Sequence, residues 1–216
     1  MNLLTLDRLS PQAVVDLAPS FESLPQTDHK DGQYRLRRYS LIELMLETKA
    51  FKELSVDTFM QTDKYNEFQG NVDRRFENLE PDVLHGEGMK EAVYRFRMLN
   101  NLPMGTLVDI HQMRVITLYE DTPVSPEGVH RDGYDCIMML GIARHNVEGG
   151  NLLVYQEKDG DHFMSLPLTA GSMVIINDRE LWHNAQAIQS QDKSQDGYVD
   201  AFIMTAKLDR KINVAL

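Results

Sequence analysis

Val108-Asp109-Ile110-His111-Gln112-Met113-Arg114-Val115-Ile116-Thr117-Leu118-Tyr119 is the stretch that decides the fold. It is rich in β-branched and large apolar side chains and reads as a strand. Immediately upstream the period differs. Met89, Val93, Phe96 and Leu99 recur at helical spacing, and Pro103 stops that helix. The switch divides a chain of 216 residues, expected to form a single domain over 1–216, into a mainly helical N-terminal part (1–104) and a β core (105–208).

Further strands are expected at 137–143, 152–156, 173–176 and 198–207. Turn signals separate them: Glu148-Gly149-Gly150, Asp159-Gly160-Asp161 and Thr169-Ala170-Gly171. Short strands with turns between them point to a sandwich or barrel carrying helices. Ser10-Pro11 predicts a short helix ending near Pro19, with the hydroxyl as cap and proline in the first turn. Two readings compete over 34–46. Ser40 and Glu43 form a capping box, whereas Tyr34-Arg35-Leu36-Arg37-Arg38-Tyr39 suits a strand. Residues 189–197 are polar and are expected to form a surface loop.

Acidic residues outnumber basic ones by 33 to 22, a formal charge of −11, and no basic stripe offsets this. Such a surface repels phosphate backbones and argues against nucleic acid as a partner. No run reaches the ~18 uninterrupted apolar residues of a membrane span, and the first residues lack the pattern of a secretory signal. One cysteine, Cys136, permits no internal disulfide and suits a reducing compartment, so the cytoplasm is the expected location.

The chemistry centres on His130-Arg131-Asp132. On an extended backbone, residues two apart face the same side, so His130 and Asp132 can grip one ion together. His183, directly after the apolar strand ending at Ile176, is the expected third ligand. Two imidazoles and one carboxylate occupy one face of an octahedron and leave three positions open, the donor set of non-haem Fe(II) oxygenases. His-x-Asp alone also occurs by chance in polar loops. Here it precedes one apolar strand, and the later histidine follows another.

The blocks around this motif resemble the small bacterial 2-oxoglutarate–Fe(II) dioxygenases that include free L-isoleucine hydroxylases. They are Tyr34 to Tyr39, Phe68-Gln69-Gly70 to Arg75-Phe76, His111-Gln112-Met113-Arg114, Pro126-Glu127-Gly128-Val129-His130-Arg131-Asp132-Gly133, Asn146-Val147-Glu148-Gly149-Gly150-Asn151-Leu152, Asp178-Arg179 with Trp182-His183, and Gly197-Tyr198-Val199-Asp200. The resemblance runs from residue 34 onward and is weaker before 107. It implies a double-stranded β-helix, a cupin-like jelly roll, with N-terminal helices packed on it. It also implies Fe(II) held by His130, Asp132 and His183, with 2-oxoglutarate and O₂ as cosubstrates and a small molecule such as a free amino acid as substrate. Related halogenating enzymes lack the carboxylate ligand; Asp132 is present, so hydroxylation is implied.

One departure stands out. Where the family carries an arginine that pairs with the distal carboxylate of 2-oxoglutarate, this chain has Val199. Arg114, sharing a strand face with Gln112, is expected to supply the missing cation, with Lys193 and Lys207 behind it. A protein carboxylate is an equally good partner for Arg114. Two other readings stay open: a catalytically reduced sensor that binds metal or a small acid, and a metal-dependent isomerase or hydrolase. Among the remaining residues, His111 reads as structural, His145 as a turn residue, and His29, His85 and His162 as surface groups. Arg37-Arg38 reads equally as a salt-bridge site and as facing the active site, and Trp182 as packing beside His183.

Overall fold

The structure is a computed structural model describing residues 2–47, 50–55, 74–118 and 120–210. Phe68 to Asp73 of the second matching block and Tyr119 lie outside the described residues. The strands are β1 (Leu4–Arg8), β2 (Arg35–Leu44), β3 (Phe51–Leu54), β4 (Leu107–Ile116), β5 (Cys136–His145), β6 (Val147–Gly149), β7 (Asn151–Tyr155), β8 (His162–Pro167), β9 (Ser172–Asn177), β10 (Trp182–Ala185), β11 (Ile188–Ser190) and β12 (Tyr198–Ala206). The helices are α1 (Pro11–Leu17), α2 (Pro81–Leu84) and α3 (Glu87–Asn100), with a 3₁₀ turn at Ala18–Ser23.

A seven-stranded antiparallel sheet runs β1-β9-β5-β12-β4-β2-β3 and faces a three-stranded sheet, β10-β7-β8, beside the pair β11-β6. This is the expected double-stranded β-helix. Its two layers of core follow from strand alternation. From β5, Met138, Leu140 and Ile142 pack with Met89, Ala92, Val93 and Phe96 of α3 on the outer face of the large sheet. Ile137 and Met139 face the other way, against Leu152 and Val154 of β7 and Val174 and Ile176 of β9. Burial on both faces explains why β5 reads as a continuous apolar run.

The structure resolves the conflict at 34–46 in favour of a strand. β2 pairs with β4 from Arg35↔Val115 to Glu43↔Leu107 and with β3 from Leu41↔Leu54 to Leu44↔Phe51. Ser40 does not cap a helix; its hydroxyl accepts the Leu79 N–H at 3.1 Å and donates to Glu53 at 3.1 Å. A cap is worth ~1 kcal/mol, whereas burying Leu41, Ile42 and Leu44 gains ~1.5–3 kcal/mol each. The expectation of a mainly helical N-terminal part needs a related correction. Its helices are present, but β1, β2 and β3 also extend the large sheet at both ends.

One irregularity positions the site. Between β12 and β5 the register jumps from Asp200↔Ala143 to Ala201↔Gly141, leaving Ile142 as an extra residue. Such a bulge reverses the alternation beyond it. Arg144 therefore faces the interior with Ile137 and Met139, although its number shares parity with the outward Met138 and Leu140. Gly141 allows the close approach here: a Cβ would lie 2.4 Å from the backbone oxygen of Leu168. Gly141→Ala is expected to cost ~1–3 kcal/mol, read as a lower urea midpoint. An unchanged midpoint would mean that the 168–169 backbone yields freely.

Candidate active site

His130 and His183 are fixed before any ion is considered. Their backbones exchange two hydrogen bonds, His130 N–H to His183 O and the reverse, each 3.0 Å. Paired residues of an antiparallel bridge project to one side, so the imidazoles meet with ring centroids 4.4 Å apart. Asp178, directly after β9, anchors the loop carrying Asp132. Its carboxylate accepts the N–H groups of Asp132 (3.1 Å), Gly133 (2.7 Å) and Tyr134 (2.9 Å). Gly133 has φ of 85°, a conformation that favours glycine.

The donor atoms converge. His130 Nε2 lies 3.5 Å from Asp132 Oδ1, and His183 Nε2 lies 3.7 Å from Asp132 Oδ2. One ligand atom from each residue falls within 4.8 Å of the others. His130 Nδ1 is 2.8 Å from the Gly128 carbonyl, to which it donates, so Nε2 is the nitrogen left facing Asp132. His183 Nδ1 lies 3.9 Å from Asp178 Oδ1, beyond hydrogen-bond distance. Burial lowers the His183 pKa to about 4, with His130 adding to the effect, so its imidazole stays neutral. Burial also acts to lower His130, but Asp132 and Glu127 outweigh it and raise the value to about 9. Asp178 is pushed up by burial first and by the Asp132 charge second. Two imidazoles and one carboxylate, partly dry and already oriented, fit a divalent ion with open positions.

The cavity around them is lined by inward residues of several strands. Met139, Leu152, Val199 and Ile203 give it apolar walls, while Arg35, Arg37, Arg74, Arg144, His111 and Glu127 bring charge and polarity. Arg35 is balanced by Asp31 at 2.6 Å and Glu127 at 3.7 Å. Arg37 lies over the Phe76 ring at 5.3 Å and donates to Met113 Sδ at 3.2 Å. No carboxylate among the described residues pairs with Arg37; burial, then repulsion by Arg35 and Arg74, lowers its pKa to about 9. Alternation sends Arg38 the other way, to Glu77 at 2.6 Å and Glu80 at 2.8 Å.

Gln112 and Arg114, expected beside the cosubstrate, do not reach this cavity. They face the helical side of β4, whose opposite side carries His111, Met113 and Val115. Gln112 donates to Ser20 at 2.7 Å. Arg114 forks onto Asp200 at 2.7 and 2.9 Å, reaches Glu22 at 2.8 Å and stacks over Tyr198. The reason is parity: the cavity takes the odd residues of β4 and the helices take the even ones. Lys193 and Lys207 are exposed and line no part of the cavity.

His111 is buried against Tyr39 at a centroid distance of 4.9 Å and lines the cavity outside the triad. Trp182 is covered by Arg131, its guanidinium 4.5 Å from the ring centroid. The Cys136 thiol is buried, and burial raises its pKa to about 12, which disfavours the thiolate. Sequence reasoning did not single out Arg144 or the anchoring role of Asp178. The latter carried one signal, its place directly after a buried strand.

Residues 18–205 match the family model for 2OG-Fe dioxygenase. Among curated proteins, none matches the chain. Among solved structures, a bsmA homolog from Methylobium petroleophilum PM1 is 23% identical with a TM-score of 0.78, over 92% of this chain and 82% of that one. IDO from Bacillus thuringiensis is 14% identical with a TM-score of 0.73, over 92% and 83%. The Fe(II)/(alpha)ketoglutarate-dependent dioxygenase TqaL is 12% identical with a TM-score of 0.70, over 99% and 85%. At such identities the likeness speaks for the fold.

Proposed function

We propose, from the premise that this chain belongs to the 2OG-Fe dioxygenase family, that it hydroxylates a small carboxylate-bearing molecule of the free amino acid kind, with His130, Asp132 and His183 as its iron ligands. Family membership makes it a dioxygenase and brings Fe(II), 2-oxoglutarate and O₂ as its cofactors. The observation that carries the ligand assignment is the convergence of those three donor atoms inside the cavity.

When bound, the iron supplies O₂ activation coupled to oxidation of 2-oxoglutarate to succinate and CO₂, one oxygen atom entering succinate and the other a substrate C–H bond. The residues of the chain supply position and dryness. His130, Asp132 and His183 would hold the ion, and Asp178 keeps the Asp132 loop in place by accepting three backbone N–H groups. Met139, Leu152, Val199 and Ile203 keep water from the reacting centre.

Arg37 supports the substrate class. A buried cation with no carboxylate within ion-pair distance among the described residues, and only the more distant Asp31 and Glu127 acting on it, is completed by an anionic ligand. No helix of the described residues is long and apolar enough to cross a membrane. Location in the cytoplasm remains part of this proposal, resting on the single buried cysteine.

The decisive experiment adds Fe(II) and 2-oxoglutarate to the protein without oxygen. A visible metal-to-ligand charge-transfer absorption is expected at one equivalent of iron; its absence would remove the ligand assignment. With oxygen admitted, succinate release should be slow alone and rise with members of a panel of free amino acids and other small carboxylic acids. Stimulation confined to uncharged compounds would overturn the substrate class.

A further inference from the structure

One cross-strand row spans the cavity: Arg144 on β5 opposes Val199 on β12, Val199 opposes Val115 on β4, and Val115 opposes Arg35 on β2. All four side chains line the cavity. Three strand spacings separate the ends of the row, ~14 Å, so its two arginines serve different groups. Arg35 has Asp31 and Glu127. Arg144 has no carboxylate partner among the described residues. Its guanidinium donates to the carbonyl oxygens of Gly149 at 2.5 Å and Gly150 at 3.4 Å, which orient the group without neutralising it. Burial lowers its pKa with no acid to oppose that. Gly150, with φ of 67°, leaves the room: a Cβ there would stand 3.2 Å from Arg144 Nη1.

The position relative to the metal ligands follows from a second register. His183 opposes Val154, and Ala185 opposes Leu152, so β10 and β7 run together from the triad toward Gly150. Three residues along β7, ~10 Å, separate the level of Val154 from that of Asn151, and Gly150 adjoins it, where the Arg144 side chain reaches back into the cavity. Ala185, Leu152 and Val199 line the way between. 2-Oxoglutarate is a five-carbon dianion. Its keto acid end goes to iron, and its other carboxylate requires a cation set away from the ion, in surroundings too apolar to leave it unpaired.

We propose that Arg144 holds the distal carboxylate of 2-oxoglutarate, so that β5 supplies across the β12 register the cation absent at Val199. The proposal rests on the dioxygenase reading. The bulge at Ile142 is what makes it possible, since an unbroken β5 would send Arg144 toward the helices.

Anaerobic titration of the Fe(II)-loaded protein, followed by charge-transfer absorbance, tests it with two keto acids: 2-oxoglutarate and 2-oxovalerate, which lacks the distal carboxylate. Arg144→Leu is expected to weaken 2-oxoglutarate at least 30-fold while changing 2-oxovalerate less than threefold. Arg144→Lys should fall between, because a point charge replaces a two-pronged donor. Val199→Arg placed in the Arg144→Leu background should recover most of the 2-oxoglutarate affinity. It cannot restore the hydrogen bonds to Gly149 and Gly150, so recovery separates carboxylate binding from support of the turn. Wild-type affinity for 2-oxoglutarate in Arg144→Leu, or equal loss of both keto acids without rescue, would overturn the assignment. Wild-type protein that shows no absorbance with either keto acid would overturn it together with the reading beneath it.

Discussion

Asp132→Ala is expected to abolish stoichiometric Fe(II) binding, with His130→Ala and His183→Ala doing the same. Asp132 is the only carboxylate of the three and faces both imidazoles, at 3.5 and 3.7 Å. Without it the site offers two neutral donors to a divalent ion, and the charge that favours the ion over water is gone. Changes to groups that merely support metal ligands cost 10–100-fold in affinity, so loss of a ligand should exceed about 100-fold. Asp178→Asn calibrates this comparison. It keeps the shape of the side chain but weakens the charged acceptor for three backbone donors, and should fall within the 10–100-fold range. Anaerobic Fe(II) titration reads both effects, and thermal unfolding checks that each variant is folded. Wild-type iron affinity in any of the three alanine variants would remove that residue from the ligand set.

The clustering of His130, Asp132 and His183 was legible because its information is local. His-x-Asp needs only an extended backbone to bring two side chains to one face, and His183 needs only to follow a strand. The five β-core strands were legible for a similar reason. β5, buried on both faces, carries an uninterrupted apolar run, and Pro103 marks the end of the preceding helix. The short strands were less visible. β6, β10 and β11 have three or four residues each, too few for an alternating pattern. β2 gave a mixed signal, since Ser40 and Glu43 imitate a helix cap although the strand is held by partners distant in sequence.

Inward-facing charge was the hardest feature to read, because it depends on phase. Arg114 and Arg37 each lie within an alternating strand, yet nothing in the alternation says which face meets the cavity when both faces are buried. The sheet resolves this by placing helices behind the even residues of β4. Arg144 depends on the register jump at Ile142, which arises from pairing with β12 and whose one mark in β5 itself is Gly141.

Arg114→Met is expected to lower folding stability by ~3–5 kcal/mol while leaving 2-oxoglutarate affinity unchanged. The side chain of Asp200 is only 2% exposed, and Arg114 is its forked partner. Removing one member of a buried pair strands the other charge, which is the costly case. Glu22, 70% exposed, adds little. The effect has a pH signature. Burial already holds the Asp200 pKa above its ordinary value, against the attraction of Arg114. A carboxyl raised in the folded state binds more protons there than in the unfolded chain, so its contribution to stability falls as pH rises through that window. Without Arg114 the folded value rises further. The gap between variant and wild type should therefore be widest near pH 8 and narrow as pH falls and Asp200 takes up a proton. Urea unfolding at several pH values measures it. Pairing Arg114→Met with Asp200→Leu removes both charges and should recover much of the loss, because a buried ion pair exchanged for apolar groups is often nearly neutral. A stable Arg114→Met protein that lost affinity for 2-oxoglutarate would show Arg114 turned toward the ligand, and the face of β4 assigned to the cavity would have to be reversed.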